Sequence, residues 1–244
     1  VDNQTKRQLK TPDQFHSLTD QGVQWASQNR ERAVALVAAA VLLILALVGG
    51  YTLFEHRTAE AQTAFGGAMQ TYQTPIATPD QPLPPGMKSF QDAKSRAQAA
   101  NPQFLAVAHQ YGMTEPGKLA LYFAGLTYMD EGENASAEST LKKVAGSWNG
   151  DVAALAKLAL AQLYQQTGRD SDAVPLYNAL AKGHATTVPA GLAQLQLAEL
   201  YSSEGKTADA NKIYADLKDH DKDAKGQPGP AGEIATEKLT GGKK

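Results

Sequence analysis

Gly205, Lys206 and Thr207 stand in the order that closes a phosphate-binding loop, where backbone N–H groups cradle phosphates and a lysine reaches them. The first glycine of that motif belongs at position 200, which is Leu200, so the tripeptide is read as a turn between helices. In DLKDHDKDAKG, residues 216 to 226, Asp219, Asp221 and Asp223 alternate as calcium ligands do. The sixth position of that loop is Ala224 rather than Gly and the twelfth is Pro230 rather than Glu, which removes both the sharp bend and the bidentate ligand. His16, His56, His109, His184 and His220 are scattered without paired zinc spacing, and no GxSxG turn organises a nucleophile. The chain has no cysteine, which removes disulfides, thiolate metal sites and cysteine nucleophiles together. These patterns predict no enzyme, no cofactor, no metal site and no small-molecule substrate.

The balance of 23 basic against 25 acidic residues gives a net charge of -2, too even to attract nucleic acid. With 42% hydrophobic residues the chain can bury a core. Binding remains as the function class, and the elements that would present it can be read along the chain.

Residues 33 to 54, AVALVAAAVLLILALVGGYTLF, form 22 uncharged positions between Arg32 and Glu55, enough helix to cross about 30 Å of hydrocarbon. A cleavable signal peptide has a shorter apolar core behind a short basic start, whereas 32 residues precede this one. The segment is therefore expected to be an uncleaved, single-pass transmembrane helix. Lys6, Arg7, Lys10, Arg30 and Arg32 lie before it and Arg57 just after it, which places the N-terminus in the cytoplasm. In a bacterium the chain beyond the span, in the inner membrane, is then periplasmic.

The cytoplasmic tail, 1 to 32, carries a short amphipathic pattern: Thr11 and Pro12 as cap and first turn, then Phe15, Leu18, Gly22 and Trp25. Residues 55 to 73 continue a helical pattern through Ala61, Phe65, Met69 and Tyr72. Residues 74 to 88 hold the proline-rich TPIATPDQPLPPG and are expected to be a linker. Two helical pieces, Ser89 to Ala100 and Pro102 to Tyr111, follow, with Asn101 capping the second. Residues 218 to 244, rich in charge, Gly and Pro, read as a disordered tail.

Between them one skeleton recurs three times. Tyr128, Tyr164 and Tyr201 are each followed four residues later by Gly132, Gly168 and Gly205. Ala137, Ala173 and Ala210 come five residues after those glycines, and Leu141, Tyr177 and Tyr214 four further on. Gly125, Ala161 and Ala198 lie three residues before each Tyr. The spacing predicts pairs of antiparallel helices: a Gly closes the first helix, and small residues let the two backbones approach. The fold class is all-α, a span followed by a short superhelical stack over residues 89 to 217.

These residues resemble the tetratricopeptide repeat, whose unit of about 34 residues sets a small residue, Tyr, Gly, Ala and an aromatic at these offsets. The units run over about 118 to 151, 154 to 188 and 191 to 217, with the helices of 89 to 111 as a cap. Leu121, Lys157 and Gln194 stand where the family has Trp, the terminal Pro is missing, and the loops between units are two or three residues longer.

The layout is also similar to a narrower family, the membrane-anchored tetratricopeptide proteins that accompany the bacterial SecYEG translocon. The matching features are KTPDQFHSLTDQGVQWASQNRER, the span at 33 to 54, and FLAVAHQYG leading into GKLALYFAGLTYMDEG. The proline-rich insertion and the C-terminal tail depart from it.

The tetratricopeptide resemblance implies a groove lined by positions 2, 5 and 9 of each first helix. Here those are Leu119, Tyr122 and Leu126, then Leu155, Leu158 and Gln162, then Leu192, Leu195 and Glu199. Family members that clamp a C-terminal carboxylate carry Lys and Asn where this chain has Tyr122 and Leu126, so that partner class is not expected. An apolar groove suits an amphipathic helix or an unfolded segment, unless the chain's own capping helices fill it. The expectation is a membrane-anchored interaction scaffold or chaperone-like accessory meeting the translocon, exported chains or periplasmic chaperones. The alternative is a structural subunit of another envelope complex.

Overall fold

The computed structural model describes residues 25–77, 84, 86–222 and 225–241. The tail positions Thr11, Pro12, Phe15, Leu18 and Gly22 lie outside these. Among the described residues the protein is all-helical: α1 (Arg30–Tyr72), α2 (Ala93–Tyr111), α3 (Glu115–Glu131), α4 (Asn134–Ala145), α5 (Gly150–Gln166), α6 (Asp170–Ala181), α7 (Ala190–Ser203), α8 (Thr207–His220) and α9 (Pro230–Thr240). The chain divides into two compact units, Val1–His56 and Arg57–Lys244.

In the first unit, α1 is long and apolar enough to cross a membrane, with a mean hydropathy of 2.8 over its most apolar window. From Val34 to Phe54 its large apolar side chains are exposed on every side, a pattern suited to hydrocarbon rather than water. Trp25 is exposed in a helical turn just before α1.

In the second unit, the end of α1 joins α2 and α3 around an aromatic cluster. Phe65 and Tyr72 of α1 meet Phe104 of α2 and Phe123 of α3, with ring centroids 5.4 to 6.0 Å apart in tilted, edge-on and stacked pairs. The proline-rich segment between α1 and α2 is pinned at its ends, where Phe90 N–H donates to the Pro75 carbonyl and Ala77 N–H to the Phe90 carbonyl.

The reading of two helical pieces before Tyr111 is corrected: α2 is one helix with Pro102 inside it. Its N-cap is Asp92, whose carboxylate accepts from Ser95 N–H at 2.7 Å in a capping box. Interior proline costs about 3 kcal/mol. Here Ala97, Ala100, Phe104 and Val107 bury one stripe on both sides of it, and burial outweighs the lost hydrogen bond. Asn101 is not a cap but a buried side chain whose amide donates to Ala124 O and, at 2.8 Å, to Thr127 Oγ1 of α3.

The helices α3 to α8 form three pairs, α3 with α4, α5 with α6 and α7 with α8. At each turn the backbone repeats one device. Gly132, Gly168 and Gly205 take φ of 80°, 71° and 77°, the left-handed conformation a side chain would strain. The next N–H then donates back to the Tyr carbonyl: Glu133 to Tyr128 at 2.9 Å, Arg169 to Tyr164 at 2.7 Å, Lys206 to Tyr201 at 2.8 Å. The spacing of four from Tyr to Gly is therefore set by closure of the helix end. Beyond each turn Ala137, Ala173 and Ala210 are buried, as are Leu141, Tyr177 and Tyr214.

The expectation of a disordered tail from 218 is also corrected. Residues 230 to 240 form α9, which packs on α8 and more lightly on α7, as α5 packs on α4 and α3. Ala231 and Ala235 are buried in a cluster with Leu195, Ala198, Tyr214 and Leu217. Asp221 prepares the docking: its carbonyl accepts from Gly229 N–H at 2.7 Å and its carboxylate from Gly232 N–H at 2.8 Å.

Candidate protein-binding surface

The inward positions of the three first helices fall into two groups. Leu119, Tyr122, Leu126, Leu155 and Leu158 are half-buried and packed against the main core of Ala137, Leu141, Leu160, Leu163 and their neighbours. Burial pushes the Tyr122 phenol pKa up, and its ring stands edge-on to Phe123 at 5.3 Å. Gln162, Leu192 and Glu199 are exposed. The leucines thus show one flank to solvent and spend the other on the core.

Leu195 is corrected as a partner-binding residue. It is only 5% exposed, because the cluster it shares with Ala231 and Ala235 closes when α9 docks. Glu199 accepts an ion pair from Lys238 of α9 at 3.0 Å, so the chain's own last helix occupies this end of the surface. What remains there is an open cleft of about 740 Å³ lined by Glu199, Ser202, Ser203, Asn211, Tyr214 and Lys238.

A second feature joins the first two pairs. Glu138 of α4 accepts from Arg169 Nη1 at 2.7 Å, Lys142 Nζ at 2.6 Å and Tyr164 Oη at 3.1 Å. Arg169 also reaches Asp172 at 2.8 Å and lies 4.3 Å over the Tyr164 ring. The Arg169 hydrogen bond, followed by that from Lys142, pulls the Glu138 carboxyl down to about 2. Arg169 is thus committed to contacts within the chain. On the other side of the stack, Asp151 Oδ1 accepts from Thr186 N–H at 2.7 Å and Thr187 N–H at 3.3 Å, tying the α6–α7 loop to the start of α5. These N–H groups hold the Asp151 carboxyl pKa below its ordinary value.

Sequence reasoning missed the roles of Asn101, Glu138, Asp221 and Lys238. The first two act between helices and leave no local signal. Asp221, just after α8, and Lys238 serve the docking of α9, for which a signal existed: Pro230 at a helix start after Gly229, then Ala231, Ile234, Ala235 and Leu239 at helical spacing. Among the described residues no group of three or more His, Cys, Asp or Glu is placed to hold a metal ion. No protein-family model, curated protein or solved structure matches the chain.

Proposed function

We propose that the chain is a membrane-anchored protein–protein interaction scaffold. In this reading α1 crosses the bacterial inner membrane with its N-terminus in the cytoplasm. The three helix pairs are tetratricopeptide units that present a periplasmic surface to other proteins. The partners are the SecYEG translocon, the chains it exports or their chaperones, for which the protein is a chaperone-like accessory.

One observation carries the reading: the same turn, with a left-handed Gly and a hydrogen bond to the Tyr carbonyl, occurs three times behind a helix apolar enough to span a bilayer. Repeated pairs that differ outside their packing residues suit the presentation of varied side chains along one surface. The half-buried leucines beside exposed Gln162 and Leu192 supply apolar area for a helix or an unfolded segment.

The test is extraction of the full chain from membranes in mild detergent with identification of what accompanies it. Translocon subunits or exported chains support the reading. One stoichiometric, unrelated envelope complex would instead make the chain a structural subunit of that assembly.

A further inference from the structure

The end of α1 meets the second half of α3 in parallel order. Phe65 meets Phe123 at 5.6 Å, and seven residues further along both helices Tyr72 Oη donates to Asp130 at 2.9 Å. Arg57, where the second unit begins, is three residues past Phe54, or about 4.5 Å of helix rise from the end of the apolar segment. The second unit, whose α2–α3 loop forms one edge of its stack, therefore begins within about one helical turn of the apolar segment.

That edge has an unusual surface. Met113 in the α2–α3 loop is 81% exposed and Trp148 in the α4–α5 loop is 83% exposed. Lys118 Nζ, in the first turn of α3, lies 3.6 Å from the centroid of the Trp148 ring, so the start of α3 meets the α4–α5 loop. Lys142 and Lys143 end α4 beside Trp148, and Lys182 follows α6 on the next loop. The acids near these residues are Glu115, Asp151, which is engaged by Thr186 and Thr187, and Glu138, which pairs with Lys142. The opposite edge, at the Gly132, Gly168 and Gly205 turns, is dominated by Asp130, Glu131, Glu133, Asp170, Glu204 and Asp209. At the third pair the loop edge is mixed in charge, with Asp216, Asp219 and Asp221 among Lys218, His220 and Lys222.

We propose that the loop edge of the first two helix pairs rests on an anionic phospholipid surface, with Trp148 and Met113 entering the interface and Lys118 and Lys143 meeting headgroup phosphates. Tryptophan and lysine are the side chains that settle at this depth, the ring in the interface and the ammonium among the headgroups. Each basic residue near an anionic surface strengthens the contact severalfold. The acidic turn edge faces away, which the same field favours. The inference rests on α1 crossing the bilayer.

Trp25 and Trp148 are the two tryptophans of the chain, so Trp25→Phe leaves Trp148 as the reporter. The full chain carrying this change is reconstituted into vesicles of brominated phosphatidylcholine, with and without phosphatidylglycerol. The expected result is blue-shifted, bromine-quenched Trp148 emission in the phosphatidylglycerol vesicles, reversed by high salt. Lys143→Glu is expected to lower the docked population about fivefold. The proposal is overturned if Trp148 emission stays water-like in both vesicles, if quenching is independent of lipid charge and salt, or if it appears only when a protein complex is added. Resistance of the chain to alkaline extraction from the same vesicles reports the span separately, so failure of the anchor and failure of the docking are distinct.

Discussion

Gly125 of α3 lies directly against Leu141 of α4: a Cβ on Gly125 would stand 2.6 Å from Leu141 Cδ2 and 2.8 Å from its Cγ. Gly125 lies seven residues before the Gly132 turn and Leu141 nine after it, so contact between them requires the two helices to run antiparallel. Helix propensity alone would favour alanine by about 1 kcal/mol. The overlap reverses the sign, and Gly125→Ala is expected to destabilise the second unit by about 1–3 kcal/mol. Gly66, on α1, has open space at its Cβ position, so Gly66→Ala is expected to stabilise by up to about 1 kcal/mol. Urea unfolding of both variants in the same detergent checks the opposite signs.

Asn101 and Thr127 form a buried polar pair between α2 and α3, and Thr127 Oγ1 in turn donates to Ala124 O at 2.9 Å. Asn101→Ala removes the amide that meets Thr127 Oγ1 and Ala124 O, with an expected cost of about 1–3 kcal/mol. Asn101→Leu combined with Thr127→Val removes both ends, and its cost is expected to fall below the sum of the single changes. A double-mutant cycle in thermal unfolding measures the difference.

How far the fold could be read from the residues follows from the range of each interaction. The Tyr, Gly and Ala positions were legible because the Tyr carbonyl, the Gly conformation and the turn N–H all lie within six residues. The apolar stretch from Ala33 to Phe54 was legible because length and composition suffice. Pro102 was misread as a boundary because its local cost is visible, while the stripe from Ala97 to Val107 that overrides it gains its energy from distant partners. The segment after Leu217 was misread because charge and glycine dominate its composition, whereas Asp221 and two alanines suffice to dock α9. Leu195 followed from that error: its inward position was legible, its cover was not.

Glu138 links the first and second helix pairs through Arg169 and Tyr164. Its carboxyl is depressed from 4.5 to about 2, so the stabilisation it gives is complete above about 4.5 and is lost as pH falls towards 2. The cluster is partly exposed, and solvent screening limits the gain to about 1 kcal/mol. Glu138→Gln is expected to lower the melting temperature at neutral pH, and the gap from the parent chain is expected to close as the pH approaches 2. Thermal melts across that window check the sign; a gap that widens in acid would contradict it.

Asp221 and α9 act as one device. Asp221→Ala removes the carboxylate that accepts from Gly232 N–H, with an expected cost of about 1 kcal/mol. Truncation after Gly226 removes α9 altogether and uncovers Leu195, Tyr214 and Leu217. Hydrogen exchange is expected to accelerate in α7 and α8 on truncation, with α2 and α3 unaffected. Lys238→Ala breaks only the exposed pair with Glu199 and is expected to change stability by less than about 0.5 kcal/mol.

The central claim, a scaffold that meets exported chains or the translocon on the flank of its first helices, is tested most directly by site-specific photo-crosslinking in intact cells. The probe is placed at Gln162 and at Leu192, both exposed in the structure, with the exposed turn residue Lys206 as the control. The account predicts adducts to translocon subunits, exported chains or their chaperones from the first two positions and not from the control. Adducts from Gln162 and Leu192 to a single unrelated envelope complex, or none from either while the chain remains membrane-inserted, would contradict it.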